Sequence, residues 1–186
     1  MLLKPHPMDS KPIDTKKSKP PSPVFFVTAS LPKCVVIDTN VILDLFLYKD
    51  PRVEGLRDAL KARELHWIAT RVMREELARV LKYEHIQKRL MGWGKGAQDL
   101  QLDQGRAEAG GLQILSEMDA QASYVDLASR ASYVCKDVDD QKFIDLAQAH
   151  QALLISKDKA VLSMKNRMAR VGVQIMGVYT KDAAPL

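Results

Sequence analysis

The stretch VVIDTNVILDLF, residues 35–46, decides the fold. Its opening residues, with Cys34 before them, form a short β-branched apolar run unbroken by polar side chains. That is the pattern of a strand covered on both faces, and hence of a parallel sheet. After the run, apolar side chains fall at helical spacing in Val41, Leu45 and Phe46. Between the two halves stand Asp38, Thr39 and Asn40, each able to accept hydrogen bonds from free helix amides. A carboxylate at this junction has two readings. It is a helix cap, or it is presented for chemistry, because ligands bind outside the carboxyl ends of parallel strands. Thr39 or Asn40 could cap equally well, which leaves Asp38 available; Asp44, farther along, reads as structural.

Outward from this stretch, strand and helix signals alternate. Pro51 marks a break before a charged helix from about Arg52 to Arg63, and HWIA (66–69) reads as a strand leading through Thr70 into a helix from Arg71 to Tyr83. GWGKG (92–96) is a glycine-punctuated loop, and a helix with weak periodicity is expected over 105–122. A helix over 140–150, a strand LLIS (153–156), a short helix from Lys159 to about Asn166 and a strand VQIM (173–176) follow. The alternation predicts one three-layer α/β/α domain with a central, mainly parallel sheet over residues 33–180, and no internal repeat is visible. Residues 1–23 hold six of the nine prolines with scattered lysines and few large apolar side chains. Such a composition does not repay the entropy of ordering, so residues 1–32 are expected to form a mobile Pro/Lys-rich tail, with a short tail over 181–186. A secretory signal is not expected, because the polar stretch before VFFVTAS is too long.

The bulk properties bound the class. A chain of 186 residues is long enough for one domain that buries about 70% of its unfolded surface. No apolar run approaches the roughly 18 residues of a membrane span, so the expectation is a soluble, cytoplasmic protein with no membrane partner. Cys34 and Cys135 stand alone in apolar stretches and read as inert thiols in a reducing compartment. The net charge of +5 is unevenly placed. Residues 52–95 carry eleven bases against six acids, whereas 96–186 carry ten against twelve. Basic helices in the middle segment could steer a nucleic-acid backbone toward the acids.

Helical phase separates the candidate carboxylates. On the helix whose apolar face runs through Met73, Leu77, Val80 and Leu81, Glu76 lies beside that face. Glu75 falls on the far side between Arg71 and Arg79, where solvated ion pairs would account for it. In KDVDDQKFIDLAQAH, Phe143, Ile144 and Ala147 define a buried stripe that Asp140 shares, while Asp145 points nearly opposite and is expected to be solvated. Asp137 and Asp139 flank Asp140 and, like it, suit a helix N-terminus electrostatically. Asp158 follows LLIS and opens a helix, which makes it another cap candidate. Parallel pairing of the two short apolar strands would nevertheless bring Asp38 and Asp158 to one sheet edge. Four carboxylates so placed repel one another, and a cation must sit among them. A hard oxygen set without Cys or His suits Mg²⁺ or Mn²⁺, and the chemistry suggested is phosphodiester hydrolysis.

VVIDTNVIL, REELARVL, CKDVDDQKFIDLA and LLISKDKAVL resemble, in order, the four acidic blocks of a PIN domain, over about residues 33–180. The last two blocks resemble the branch that contains toxins of toxin-antitoxin pairs. The resemblance implies a metal-dependent endoribonuclease using Mg²⁺ or Mn²⁺. It places Asp38, Glu76, Asp140 and Asp158 in the catalytic and metal-binding positions, with Glu75, Asp139 and Asp137 in reserve. Asn40 matches the polar residue that braces the first aspartate, and Ser156 stands where many members have Ser or Thr. The partners implied are an RNA substrate, a cognate antitoxin protein and a second copy in a homodimer. The alternative is a catalytically silent PIN-fold module for RNA binding or assembly. A phosphatase of the haloacid-dehalogenase type would want Asp where Asn40 stands, and a receiver would want an acidic pair at the first strand.

Overall fold

A computed structural model describes residues 33–92 and 100–181 of the chain. The expected tail over 1–32, most of the GWGKG loop and residues 182–186 lie outside the described residues. The sheet has five strands in the order β3-β2-β1-β4-β5, every neighbouring pair parallel. The strands are β1 (Lys33–Ile37), β2 (Leu65–Ala69), β3 (Ser123–Tyr124), β4 (Leu153–Ile155) and β5 (Ile175–Met176).

β1 is central because it can be buried on both sides: Val35 and Val36 are fully enclosed and Ile37 nearly so. It pairs with β2 at Val35 opposite Trp67, and with β4 at Ile37 opposite Ile155. The chain steps one way from β1 to β2 to β3, and the other way from β3 to β4 to β5. Right-handed crossovers therefore place the helices of the first half on one face and those of the second half on the other. The strand order reverses between β1 and β4, and the crevice outside their carboxyl ends is where such sheets bind ligands.

The helices are α1 (Thr39–Leu43), α2 (Glu54–Lys61), α3 (Arg71–Val80), α4 (Glu84–Met91), α5 (Leu100–Gln121), α6 (Gln141–Ala149), α7 (Lys159–Leu162) and α8 (Lys165–Ala169). A π-helical turn, Asp44–Tyr48, continues α1, and a short 3-10 turn, Pro51–Val53, precedes α2. Lys49 ends the π-helical turn in the left-handed region at φ 51°, so the chain reverses before Pro51. α6 lies on β1 and β4 and buries Phe143, Ile144 and Ala147, the stripe expected from the sequence, together with Leu146. α3 begins at a Thr70 cap whose hydroxyl accepts from the Met73 amide at 3.4 Å.

Several sequence expectations change. The helix expected over Arg71 to Tyr83 stops at Val80, and α4 follows after a turn that contains neither Gly nor Pro. That turn is held by the Gln87 side-chain amide donating to the Leu81 carbonyl at 2.6 Å. The helix expected over 105–122 starts at Leu100. The one from Lys159 to Asn166 is two short helices. β3 was not signalled at all: two residues carry no periodicity, and they are in strand form because β2 offers Ala69 as a partner. Cys34 is half-buried and Cys135 buried, both unpaired, and burial pushes the Cys135 thiol up. No helix among the described residues is long and apolar enough to cross a membrane.

Candidate active site

Asp38 follows β1 and is 2% exposed. Its backbone N–H extends the β1–β4 ladder by donating to the Ile155 carbonyl at 3.0 Å. Its two carboxylate oxygens take different partners: the Ser156 hydroxyl donates to one at 2.6 Å, and the Asn40 amide to the other at 3.4 Å. Asp38 therefore caps α1 and is tied to the residue after β4 at once. Of the two readings of the opening stretch, the cap is what these bonds show. Burial raises its pKa, Glu76 and Asp158 add to the rise, and the Ser156 and Asn40 hydrogen bonds oppose it. Asn40 itself is exposed, and its bond to Asp38 runs through the backbone rather than the side-chain amide.

Ser156 follows β4, fully buried. Besides donating to Asp38, its hydroxyl accepts from the Asp158 amide at 3.0 Å, so one side chain ties the two strand-end aspartates together. Asp158 caps α7, accepting from the Ala160 amide at 2.6 Å. Next to it, Lys157 pairs with both Asp44 and Asp50, the latter at 3.3 Å. This pins the turn after β4 to the π-helical turn after β1.

Glu76 reaches the same edge from α3. The Thr39 hydroxyl donates to one of its oxygens at 3.0 Å, and the ammonium of Lys142, on α6, pairs with the other, which is buried. Glu75, one residue earlier, is exposed, as the helical phase requires. Asp140 stands at the start of α6, half-buried, with no amide bonded to its carboxylate. Its pKa is pushed up to about 7, first by burial, then by Asp38, Asp158 and Asp137, against the pull of Lys142. Asp137 and Asp139 are exposed; Asp137 accepts from the Asp139 amide at 2.9 Å, closing a turn. An open cleft of about 560 Å³ lies over Asp137, Asp139 and Asp158, with Lys136, Val138 and Ala160 completing its wall.

The expectation for Asp145 is overturned. It is half-buried and accepts from the Ala131 amide at 2.8 Å and the Gln141 side-chain amide at 2.6 Å. Gln141 in turn accepts from the Cys135 amide at 2.6 Å. The helical wheel faced Asp145 away from the stripe correctly, but the loop before α6 folds back over that face. Thr39, Lys142 and Lys157 were the partners missed. The need for a cation among the acids was readable; that a lysine two residues past Asp140 supplies part of it was not.

Among the described residues no three carboxylate, His or Cys side chains converge as a ready-made metal cage. The donor chemistry nevertheless fits a hard divalent cation. The oxygens are all carboxylate or hydroxyl, and such an ion would offset the burial, and with it the mutual repulsion, that raises Asp38 and Asp140.

The raised Asp140 pKa has a measurable sign. A carboxylate with a folded pKa near 7 and an unfolded value near 4 binds more protons when folded, so between those values stability falls as pH rises. With metal chelated, the chain is expected to lose about 1–2 kcal/mol between pH 4.5 and 7.5 from this group, after allowance for solvent screening. Asp140→Asn should flatten that slope in urea titrations run across the pH range.

A family profile described as PIN domain matches residues 34–160, which is more than half of the chain. No curated protein and no solved structure matches at a significant level. The matched span runs from the strand before Asp38 to the helix that Asp158 caps, and the chain belongs to the PIN-domain family, whose members are in general nucleases.

Proposed function

We propose that this chain is a metal-dependent endoribonuclease that hydrolyses RNA phosphodiester bonds, and that it acts as the toxin of a toxin-antitoxin pair. The observation that carries the nuclease reading is that Asp38 and Asp158 follow the two neighbouring strands between which the strand order reverses, with Glu76 and Asp140 near enough to act on them electrostatically. In this reading Asp38, Asp140 and Asp158, with Glu76, hold Mg²⁺ or Mn²⁺. Such an ion, when bound, polarises the scissile phosphodiester and lowers the pKa of its water. The chain's own residues prepare that site. Ser156 fixes the orientation of Asp38 and the position of Asp158, Thr39 fixes Glu76, and the burial of Asp38 keeps bulk water from screening the charges. The basic middle segment supports an RNA substrate through its charge.

The test is incubation of the purified full chain with single-stranded and structured RNAs in Mg²⁺, Mn²⁺ or chelator. Cleavage that needs the metal supports the reading; RNA retention without metal-dependent cleavage would instead indicate a silent binding module. The toxin role is tested separately by whether expression arrests growth, and whether the product of the adjacent reading frame relieves the arrest.

Lys142 gives a further expected result. Its ammonium neutralises a Glu76 oxygen in a partly buried setting. Lys142→Met should therefore leave an uncompensated charge and cost about 2 kcal/mol of metal-free stability. The same change should raise Mn²⁺ affinity several-fold in calorimetry while slowing cleavage, because the metal no longer competes with an internal cation.

A further inference from the structure

Arg71 and Tyr124 form a second constellation on the carboxyl edge of the sheet, outside the acid cluster. The Arg71 guanidinium lies 4.2 Å from the centroid of the Tyr124 ring. Tyr124 is held in turn: its hydroxyl donates to Asp119 at 2.5 Å, and Arg74 grips that carboxylate with two bonds of 2.7 Å each. Arg71 is exposed; Asp119 feels its charge, but among the described residues no carboxylate forms a direct ion pair with it. The ring covers one side of the guanidinium, and no hydrogen bond from its N–H groups is made among the described residues. A cation held over an anchored ring, with its donors unspent, is pre-organised for an anionic ligand that also carries a planar group.

The sheet register places this pair relative to the cluster. Val35 is opposite Trp67, so three residues further on Asp38 stands beside Thr70, the residue before Arg71. Ala69 is opposite Tyr124. With strands about 4.8 Å apart, Tyr124 lies two strands, roughly 10 Å, from the level of Asp38.

We propose that Arg71 on Tyr124 is a binding shelf for single-stranded RNA, taking the phosphate and unstacked base of a nucleotide that flanks the bond at the acid cluster. The shelf rests on the ribonuclease reading for its substrate but not for its contacts. Arg71 donates to the phosphate from its edge, and the base stacks on its outer face, as unpaired bases do on guanidinium planes. A duplex, with its bases stacked internally, would gain only the phosphate contact.

The experiment uses the full chain carrying Asp38→Asn, so that RNA survives, and a fluorescent single-stranded 12-mer titrated by anisotropy at several NaCl concentrations. Arg71→Ala should weaken binding about tenfold and reduce the slope of log affinity against log salt by about 0.7. Arg71→Lys should restore the slope without restoring the affinity, since the planar stack is lost. Lys61→Ala, which removes one charge of the basic middle segment near the start of β2 at the opposite end of the sheet, should cost only the long-range share of that one charge and leave single-strand and duplex RNA affected alike. In the cleaving wild-type background, Arg71→Ala should raise KM more than it lowers kcat. If Arg71→Ala weakens binding no more than Lys61→Ala, or if duplex RNA loses as much as the single strand, the shelf is overturned. Arg71-dependent binding of RNA that the wild type never cleaves would uphold the shelf and overturn the hydrolase. No RNA binding at all would overturn both.

Discussion

Asp38→Asn is expected to lower metal-dependent RNA cleavage by about 10³-fold or more, the rate equivalent of the several kcal/mol that metal-ion catalysis supplies. The substitution keeps the shape of the side chain. The Asn oxygen can still accept a hydrogen bond, and its amide can donate to the Ser156 hydroxyl, so the link between the ends of β1 and β4 survives. Removal of the charge also relieves the burial and the repulsion from Glu76 and Asp158 that raise the Asp38 pKa. At neutral pH the variant should therefore melt at the same temperature as wild type or higher. Loss of cleavage with no loss of stability separates a reacting role from a purely structural one. Cleavage at the wild-type rate by Asp38→Asn would show that the activity resides elsewhere.

The second large effect concerns the core beneath the site. Phe143 is fully buried on α6 against β1 and β4, one turn after Asp140, and its ring lies 4.7 Å from the Lys142 ammonium. Phe143→Ala should cost about 3–5 kcal/mol, the usual loss for an aromatic truncated in a packed interior. That is a large part of the roughly 5–15 kcal/mol that holds a domain together. Phe143→Leu should cost less, about 1.5 kcal/mol. Urea midpoints with metal chelated measure both. Because the same helix sets Asp140 and Lys142, Phe143→Ala should also weaken Mn²⁺ binding at urea concentrations too low to unfold the chain.

The parts of the structure that were legible in the sequence are those governed by local periodicity. β1 could be read because a short apolar run rich in β-branched residues, ended by Asp38, Thr39 and Asn40, favours a doubly covered strand. Helical phase at 100° per residue separated Glu76, now between Thr39 and Lys142, from exposed Glu75. The same phase aligned Asp140 with Phe143. What escaped depends on contacts between distant segments. Asp145 is held by a loop that returns over its helix, and β3 exists only beside β2. The split between α3 and α4 rests on Gln87 bonding the turn, with no residue there that forbids a helix. Lys142 and Thr39 belong to the same class: each looks ordinary in its own segment and acquires its partner from another. Asn40 shows the converse, a conspicuous side chain whose useful group is its backbone amide.

Because β4 joins β1 from late in the sequence, the carboxylate cluster also keeps time. During synthesis the chain can pair β1 with β2 and β3 early, but at that stage only Asp38 and Glu76 are in place. Asp140 and Asp158 must be translated before the β1–β4 seam can close and Ser156 can join the two aspartates. At about 5–20 residues per second, Asp158 follows Asp38 out of the ribosome by roughly 6–24 s. For a chain proposed to cut RNA, this order means that the growing polypeptide is chemically inert beside its own message and the ribosomal RNA until nearly all of the domain has been made.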